Sequence, residues 1–385
     1  MQRLALYFDG TWNDEADRTN VFRVFSLAAD GPAQKSHYLT GVGNVSGHKI
    51  RGGAFGEGLS EHVKAGYDWL RRSYDWAAGE EANQIFIFGF SRGAYTARSL
   101  GGLIATCGLA RDSTLSTDWL YSRYRDRKSG ADPIWKLDFI QRTAERTLTD
   151  DEKTLLAHSR RVDIQMLGVW DTVGALGIPW TVPIFNKAKY HFHNPNLSKI
   201  YRHAFHALAV DEHRGAFKPT LWTLYQPETD PTPPKIPALE HCEQRWFPGA
   251  HSDVGGGCAN DLPDAPGRWL QQKAQQLGMT YTALLPTNPA IASATRVSDS
   301  YSDFMKGFYK VLKLGRRYYR PIGIQRNAVN GGWSWPVNET LDESVFSHGN
   351  GGSGYPPQNL RDWTKATAGQ SVAAYEGARI ALRST

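Results

Sequence analysis

Between Gly89 and Gly93 the sequence sets Ser91 in the spacing G-x-S-x-G, directly after the apolar run QIFIFGF and directly before RGAYTARSLGGLIATCGL, which is rich in small residues. A buried strand that turns sharply into a helix lifts such a hydroxyl above the sheet edge, and the flanking glycines remove side chains that would clash there. The helix also directs free N–H groups and the positive end of its dipole at the same point, favouring a developing oxyanion. The bare pattern occurs by chance; the strand before it and the helix after it make Ser91 a candidate nucleophile for acyl transfer.

A serine needs a base, and the base needs an orienting acid. In the order Ser, acid, His, the best acid is Asp171 of GVWDTVGALG, which stands immediately past the apolar run VDIQMLGVW, where a carboxylate projects from the C-terminal sheet edge. Asp163 competes, but it lies near the start of the same strand. An isolated Asp after a strand is also a common turn former. Of the 12 histidines, His251 of WFPGAHSDVGGG follows a strand-like segment and precedes a glycine run, so it is the preferred base. His203 and His206, in YRHAFHALAVDEHR, have apolar neighbours and read as satisfied core or surface histidines.

The oxyanion needs two donors. One is the N–H of Arg92, the residue after the nucleophile; the other is expected from FDGTWN, the loop after an early strand, through Gly10 or Thr11. The H-x-D pair in HSDVGGG could suggest a metal, but no third and fourth ligands have convincing spacing, so neither metal nor cofactor is expected. GGAFGEG lacks the G-K-[ST] of a nucleotide loop.

These residues must be held by something, and the chain offers alternating strands and helices. LALYF ends in the turn-rich DGTWN, and in LSEHVKAGYDWLRRSYDW the positions Val63, Tyr67, Leu70 and Tyr74 recur at helical intervals. QIFIFGF, VDIQMLGVW and EQRWFPGA read as buried strands. The pattern implies an α/β fold with a mainly parallel sheet flanked by helices. One elaborated domain is expected: a core over about 1–260, a lid-like insertion at 174–196 and a C-terminal subregion at 261–385 packed on the core. The insertion mixes apolar and aromatic residues with proline, and Trp180, Ile184 and Phe185 are its candidates for lid, acyl-chain or interface contacts.

At 385 residues with 41% hydrophobic content and 13 Trp, the chain has material for a sizeable core, which excludes disorder. Three cysteines without C-x-x-C spacing indicate neither a disulfide scaffold nor structural zinc. The N-terminus reads as a core strand instead of a secretory signal, and no apolar run reaches 18 residues. The net charge of +6 is dispersed, so no nucleic-acid partner is expected.

With FDGTWN, GVG…GGAFGEGLSEHVKAGYDWL, IFIFGFSRGAYTARSLGGLI, GVWDTVGALGIP, HALAVDEHRGAFKPTLW and WFPGAHSDVGGG in order, the chain resembles an uncharacterised α/β-hydrolase domain family. Its best-understood members are phospholipase effectors of the first type VI lipase effector family, and the late LDESVFSHGNGGSGYPPQNL resembles the family's C-terminal signature. The resemblance implies a serine esterase, phospholipase A-like, that cleaves acyl esters of glycerophospholipids with Ser91, Asp171 and His251 as its triad. It also implies an antibacterial protein made in the cytoplasm and delivered to a competitor's periplasm or envelope, with a membrane surface as substrate and with a secretion spike or adaptor and an immunity protein as partners. A soluble carboxylesterase of the same fold and a catalytically inactive binding module are the alternatives.

Overall fold

The computed structural model describes residues 1–41, 55–79, 82–126, 131–174, 197–286, 295–303, 316–323, 326–349 and 357–367. Its centre is a seven-stranded sheet: β1 (Gln2–Phe8), β2 (Gln34–Leu39), β3 (Asn83–Phe90), β4 (Met166–Trp170), β5 (Ala204–Ala209), β6 (Cys242–Phe247) and β7 (Glu339–Leu341). The order across the sheet is β7-β6-β5-β4-β3-β1-β2, and every pairing is parallel. The chain passes from β1 outward to β2, then returns to the other side of β1 with β3. That reversal opens a crevice beyond the carboxyl ends of β1 and β3, the position at which open α/β sheets bind their ligands.

Successive side chains of a strand point to opposite faces, and the apolar strands supply a core on each. Leu4, Leu6, Phe8, Ile85, Ile87, Leu167 and Val169 pack with α2 (Phe55–Ser73) and α3 (Arg92–Cys107). Ala5, Tyr7, Phe86, Phe88, Met166 and Trp170 pack on the other face with α1 (Asn20–Leu27) and the helix Asp264–Gln276. Burial on both faces is the reason that these strands read as continuous apolar runs.

The region beyond 261 is woven into this body. β7 extends the main sheet beside β6, and Leu208, Val210, Trp246, Ile322, Leu341, Val345, Leu360 and Trp363 form a third buried cluster. Gly332–Pro336 pairs antiparallel with Thr223–Pro227 in a separate three-stranded sheet. The expected lid, with Trp180, Ile184 and Phe185, lies outside the described residues.

Candidate active site

β3 ends at Phe90 and α3 begins at Arg92, so Ser91 makes the whole turn alone. Its backbone is forced to φ 57° and ψ −119°, a conformation that costs a non-glycine residue roughly 1–3 kcal/mol. The neighbouring glycines let this happen. A Cβ at Gly93 would stand 2.2 Å from the Phe8 carbonyl oxygen, and one at Gly89 would stand 2.6 Å from the Gly93 carbonyl oxygen. Backbone meets backbone at both places. The Ser91 N–H donates to the Trp170 carbonyl at 3.0 Å, tying the turn to β4.

Asp171 follows β4 at once and is also in the left-handed region, at φ 40°. Its N–H donates to the Ala207 carbonyl at 2.8 Å, and its Oδ1 accepts the Ala209 N–H at 3.1 Å, so β5 fixes both backbone and side chain. His251 opens a five-residue helix, His251–Gly255, after the β6 loop. Gly249, at φ 111°, turns that loop, and its N–H is held by Asp211 Oδ2 at 2.7 Å. The imidazole sits between the Phe90 and Phe217 rings, with centroids at 4.7 and 5.1 Å.

Side chains from three strand ends thus converge. His251 Nδ1 is 2.5 Å from Asp171 Oδ2, and His251 Nε2 is 2.8 Å from Ser91 Oγ. Asp171 is fully buried, and among the described residues every group that reaches its oxygens is a donor: the Ala209 N–H, both Nη atoms of Arg320 (2.6 and 2.9 Å) and His251 Nδ1. Burial opposes its ionisation, but the Arg320 charge and the His251 hydrogen bond hold its carboxyl well below the usual range. An ionised Asp171 requires the proton of neutral His251 to be on Nδ1. Nε2 is then an acceptor facing the serine hydroxyl. Burial lowers the proton affinity of His251, and Asp171 pushes the other way.

A second carboxylate lies close by. Glu212 is buried, is paired with Arg214 at 2.7 Å, and accepts the backbone N–H of His251 at 3.3 Å. The sequence offered no signal for Glu212, Arg214 or Arg320 as neighbours of the site. HALAVDEHRGAFKPTLW and GRRYYRPIG contain them, but nothing in the first points to His251, 39 positions from Glu212, and nothing in the second to Asp171, 149 positions from Arg320.

The remaining candidates separate clearly. The Arg92 N–H is the first of α3, and its guanidinium, whose pKa burial lowers to about 9, lies 5.2 Å from the centroid of the exposed Trp12 ring. Of the two expected loop donors, the Gly10 N–H donates to Asp9 Oδ1 at 2.6 Å. Among the described residues the Thr11 N–H donates to no other group, and the buried Thr11 hydroxyl has no partner. Asp163 is at the other end of β4, paired with Arg202 at 3.3 Å. His203 contacts the Gln165 carbonyl at 3.1 Å. His206 is fully buried, and its Nε2 accepts the Thr172 N–H at 3.0 Å; burial lowers its pKa to about 3. Asp253, the partner of His251 in H-x-D, accepts the Ala250 N–H (2.9 Å), Asn260 Nδ2 (2.7 Å) and both the N–H and hydroxyl of Ser298 (2.9 and 2.6 Å).

Comparison with known proteins places the chain in a family. The catalytic-domain model of Tle1-like type VI secretion phospholipase effectors matches residues 2–273. An uncharacterised protein of Saccharomyces cerevisiae is 26% identical over 268 residues, which is 63% of this chain and 35% of that protein. Among solved structures, that of an uncharacterised protein from Pseudomonas aeruginosa aligns at 16% identity and a TM-score of 0.45, covering 82% of this chain and 51% of that one. The structure of the Tle1 effector bound to the VgrG spike aligns at 17% identity and a TM-score of 0.35, covering 66% of this chain and 51% of the other. The chain therefore spans about a third of the yeast relative's length and about half of each of these structures. The family match covers well over half of the chain, and the chain belongs to the Tle1-like catalytic-domain family of type VI secretion phospholipase effectors.

Proposed function

We propose that this protein is a serine esterase that hydrolyses acyl esters of glycerophospholipids. The observation that carries the reading is the bridge made by His251, 2.8 Å from Ser91 Oγ and 2.5 Å from Asp171 Oδ2, in a buried crevice at the sheet's switch point. His251 Nε2 takes the Ser91 proton as Oγ attacks the ester carbonyl, while Asp171 holds the tautomer and stabilises the imidazolium. The N–H groups of Arg92 and Thr11 donate to the tetrahedral oxyanion, assisted by the α3 dipole. His251 returns the proton to the leaving alcohol, and water then releases the fatty acid from the acyl-enzyme by the same steps.

Family membership supports a lipid substrate, and the exposed Trp12 beside Arg92 offers an amphipathic ring and a cation to a lipid interface. The same membership supports delivery by a type VI apparatus with the spike as partner. Fatty-acid release from phosphatidylglycerol–phosphatidylethanolamine vesicles, measured beside hydrolysis of short nitrophenyl esters, tests the substrate class. The reading expects faster turnover once the lipid is aggregated. Preference for monomeric short esters, with no release from vesicles, would assign the site to a soluble carboxylesterase.

A further inference from the structure

The Asp171 carboxylate has a partner on the side away from His251. Arg320 is fully buried; its Nη1 lies 2.6 Å from Asp171 Oδ1 and its Nη2 lies 2.9 Å from Oδ2, the same oxygen that receives His251 Nδ1. The fork is itself anchored: Nη1 also donates to the Ala209 carbonyl at 2.9 Å, and Nη2 to the Phe217 carbonyl at 2.6 Å. Two planar bidentate groups held in this way have one relative orientation. Arg320 lies beyond residues 2–273 of the family match, so the C-terminal region completes the surroundings of the triad.

We propose that Arg320 is a positioning residue for the Ser91–His251–Asp171 centre: its guanidinium orients the Asp171 carboxylate, keeps it ionised and offsets its charge, so that His251 stays a free base into mildly acidic solution. The proposal rests on the serine-hydrolase reading above. In a serine triad the carboxylate is ordinarily the counter-charge of the imidazolium alone; here it is shared with a permanent cation. Among the described residues, the other groups around the imidazole are Ser91, the Phe90 and Phe217 rings, and the Glu212–Arg214 pair, which is balanced within itself. Asp253, on the helix of His251, is directed at Ala250, Asn260 and Ser298, and His206 on β5 is neutral. The carboxylates and guanidiniums around His251 therefore cancel, and burial favours its neutral form.

Removing the cation acts twice in one direction. The buried carboxyl, no longer held ionised, begins to protonate in acid, and while it stays charged it attracts the imidazolium proton more strongly. Both move the acid limb of the reaction to higher pH. The test is the rate at which a fluorophosphonate probe labels Ser91 between pH 4.5 and 9 in the parent, Arg320→Met and Arg320→Lys. The parent is expected to show its acid limb below the ordinary histidine value of about 6.5. Arg320→Met should move the limb up by about one pH unit or more, and lower the plateau by at least about tenfold. Arg320→Lys, which keeps the charge but loses the fork, should leave the limb near the parent's while lowering the plateau. A limb that stays put in Arg320→Met while the plateau alone falls would reduce Arg320 to a packing role and overturn the proposal. Should Arg320→Met not fold, a parent limb at pH 7 or above, or a limb in Arg320→Lys shifted far from the parent's, overturns it equally. Failure of the parent to label at any pH would instead refute the serine-hydrolase reading.

Discussion

Asp171→Asn is the substitution for which the structure makes the sharpest demand. Among the described residues four donors reach the carboxylate: the Ala209 N–H at 3.1 Å and Arg320 Nη1 at 2.6 Å on Oδ1, His251 Nδ1 at 2.5 Å and Arg320 Nη2 at 2.9 Å on Oδ2. Asparagine has the same shape but replaces one acceptor by an NH2 group, which must face donors in either orientation. With the NH2 towards His251, Nδ1 becomes the acceptor and the proton moves to Nε2, which can then no longer accept from Ser91. A triad held in the wrong tautomer loses about 10⁴ in rate. With the NH2 towards Ala209, the carbonyl oxygen still faces His251 Nδ1 and the tautomer is kept; in either orientation the buried Arg320 cation loses its carboxylate, and breaking such a pair costs about 3–5 kcal/mol. Both orientations therefore predict a destabilised protein; the first is also inert, and the second retains some reactivity. Fluorophosphonate labelling distinguishes the two, and denaturant unfolding on the same preparation reads the cost common to both. A variant that labels within tenfold of the parent and unfolds at the parent's midpoint would refute the assignment of Asp171 as the orienting acid.

Other consequences are as direct. In Gly93→Ala the new methyl would stand 2.2 Å from the Phe8 carbonyl and 2.4 Å from that of Asp9, about 1 Å short of a tolerable contact; α3 must retreat, lowering stability by about 1–3 kcal/mol and labelling by roughly 10²-fold. Unchanged values in both assays would contradict the close approach of α3 to β1. His206 has a folded pKa near 3, below its ordinary 6.5, so its stabilising contribution is complete above pH 6.5 and is lost as the pH falls towards 3. At pH 5 that loss is about 2 kcal/mol relative to pH 7; His206→Gln, which keeps an acceptor for the Thr172 N–H, should show correspondingly less acid destabilisation in thermal melts. Equal acid sensitivity of parent and variant would contradict a neutral buried His206.

Local signals were strong in this sequence wherever burial is two-sided. QIFIFGF and VDIQMLGVW are apolar because helices cover both sheet faces, and the residues that follow them, Ser91 and Asp171, are the ones that the fold carries to one crevice. His251 was legible for the same reason, as the first polar side chain after the β6 loop. β2 was not: QKSHYL is half-exposed at the sheet edge and has no apolar run. β7 is three residues long, too short for any periodicity, and stands at the edge only because β6 offers it a partner. Arg320 was illegible on chemical grounds. An arginine among tyrosines reads as a surface group, and only the carboxylate 149 residues earlier explains its burial. Nor did the sequence show that the Asp9 carboxylate, which also receives Thr19 Oγ1 and Tyr38 Oη, accepts the Gly10 N–H.

The proposed mechanism depends on Ser91 being a nucleophile activated by His251. Peptide mass spectrometry of the chain after brief exposure to a fluorophosphonate probe tests it most directly. The account predicts a single adduct on the peptide carrying Ser91, absent from Ser91→Ala and formed at least about 10³-fold more slowly in His251→Ala. An adduct on another residue, or labelling of Ser91→Ala at the parent's rate, would contradict it.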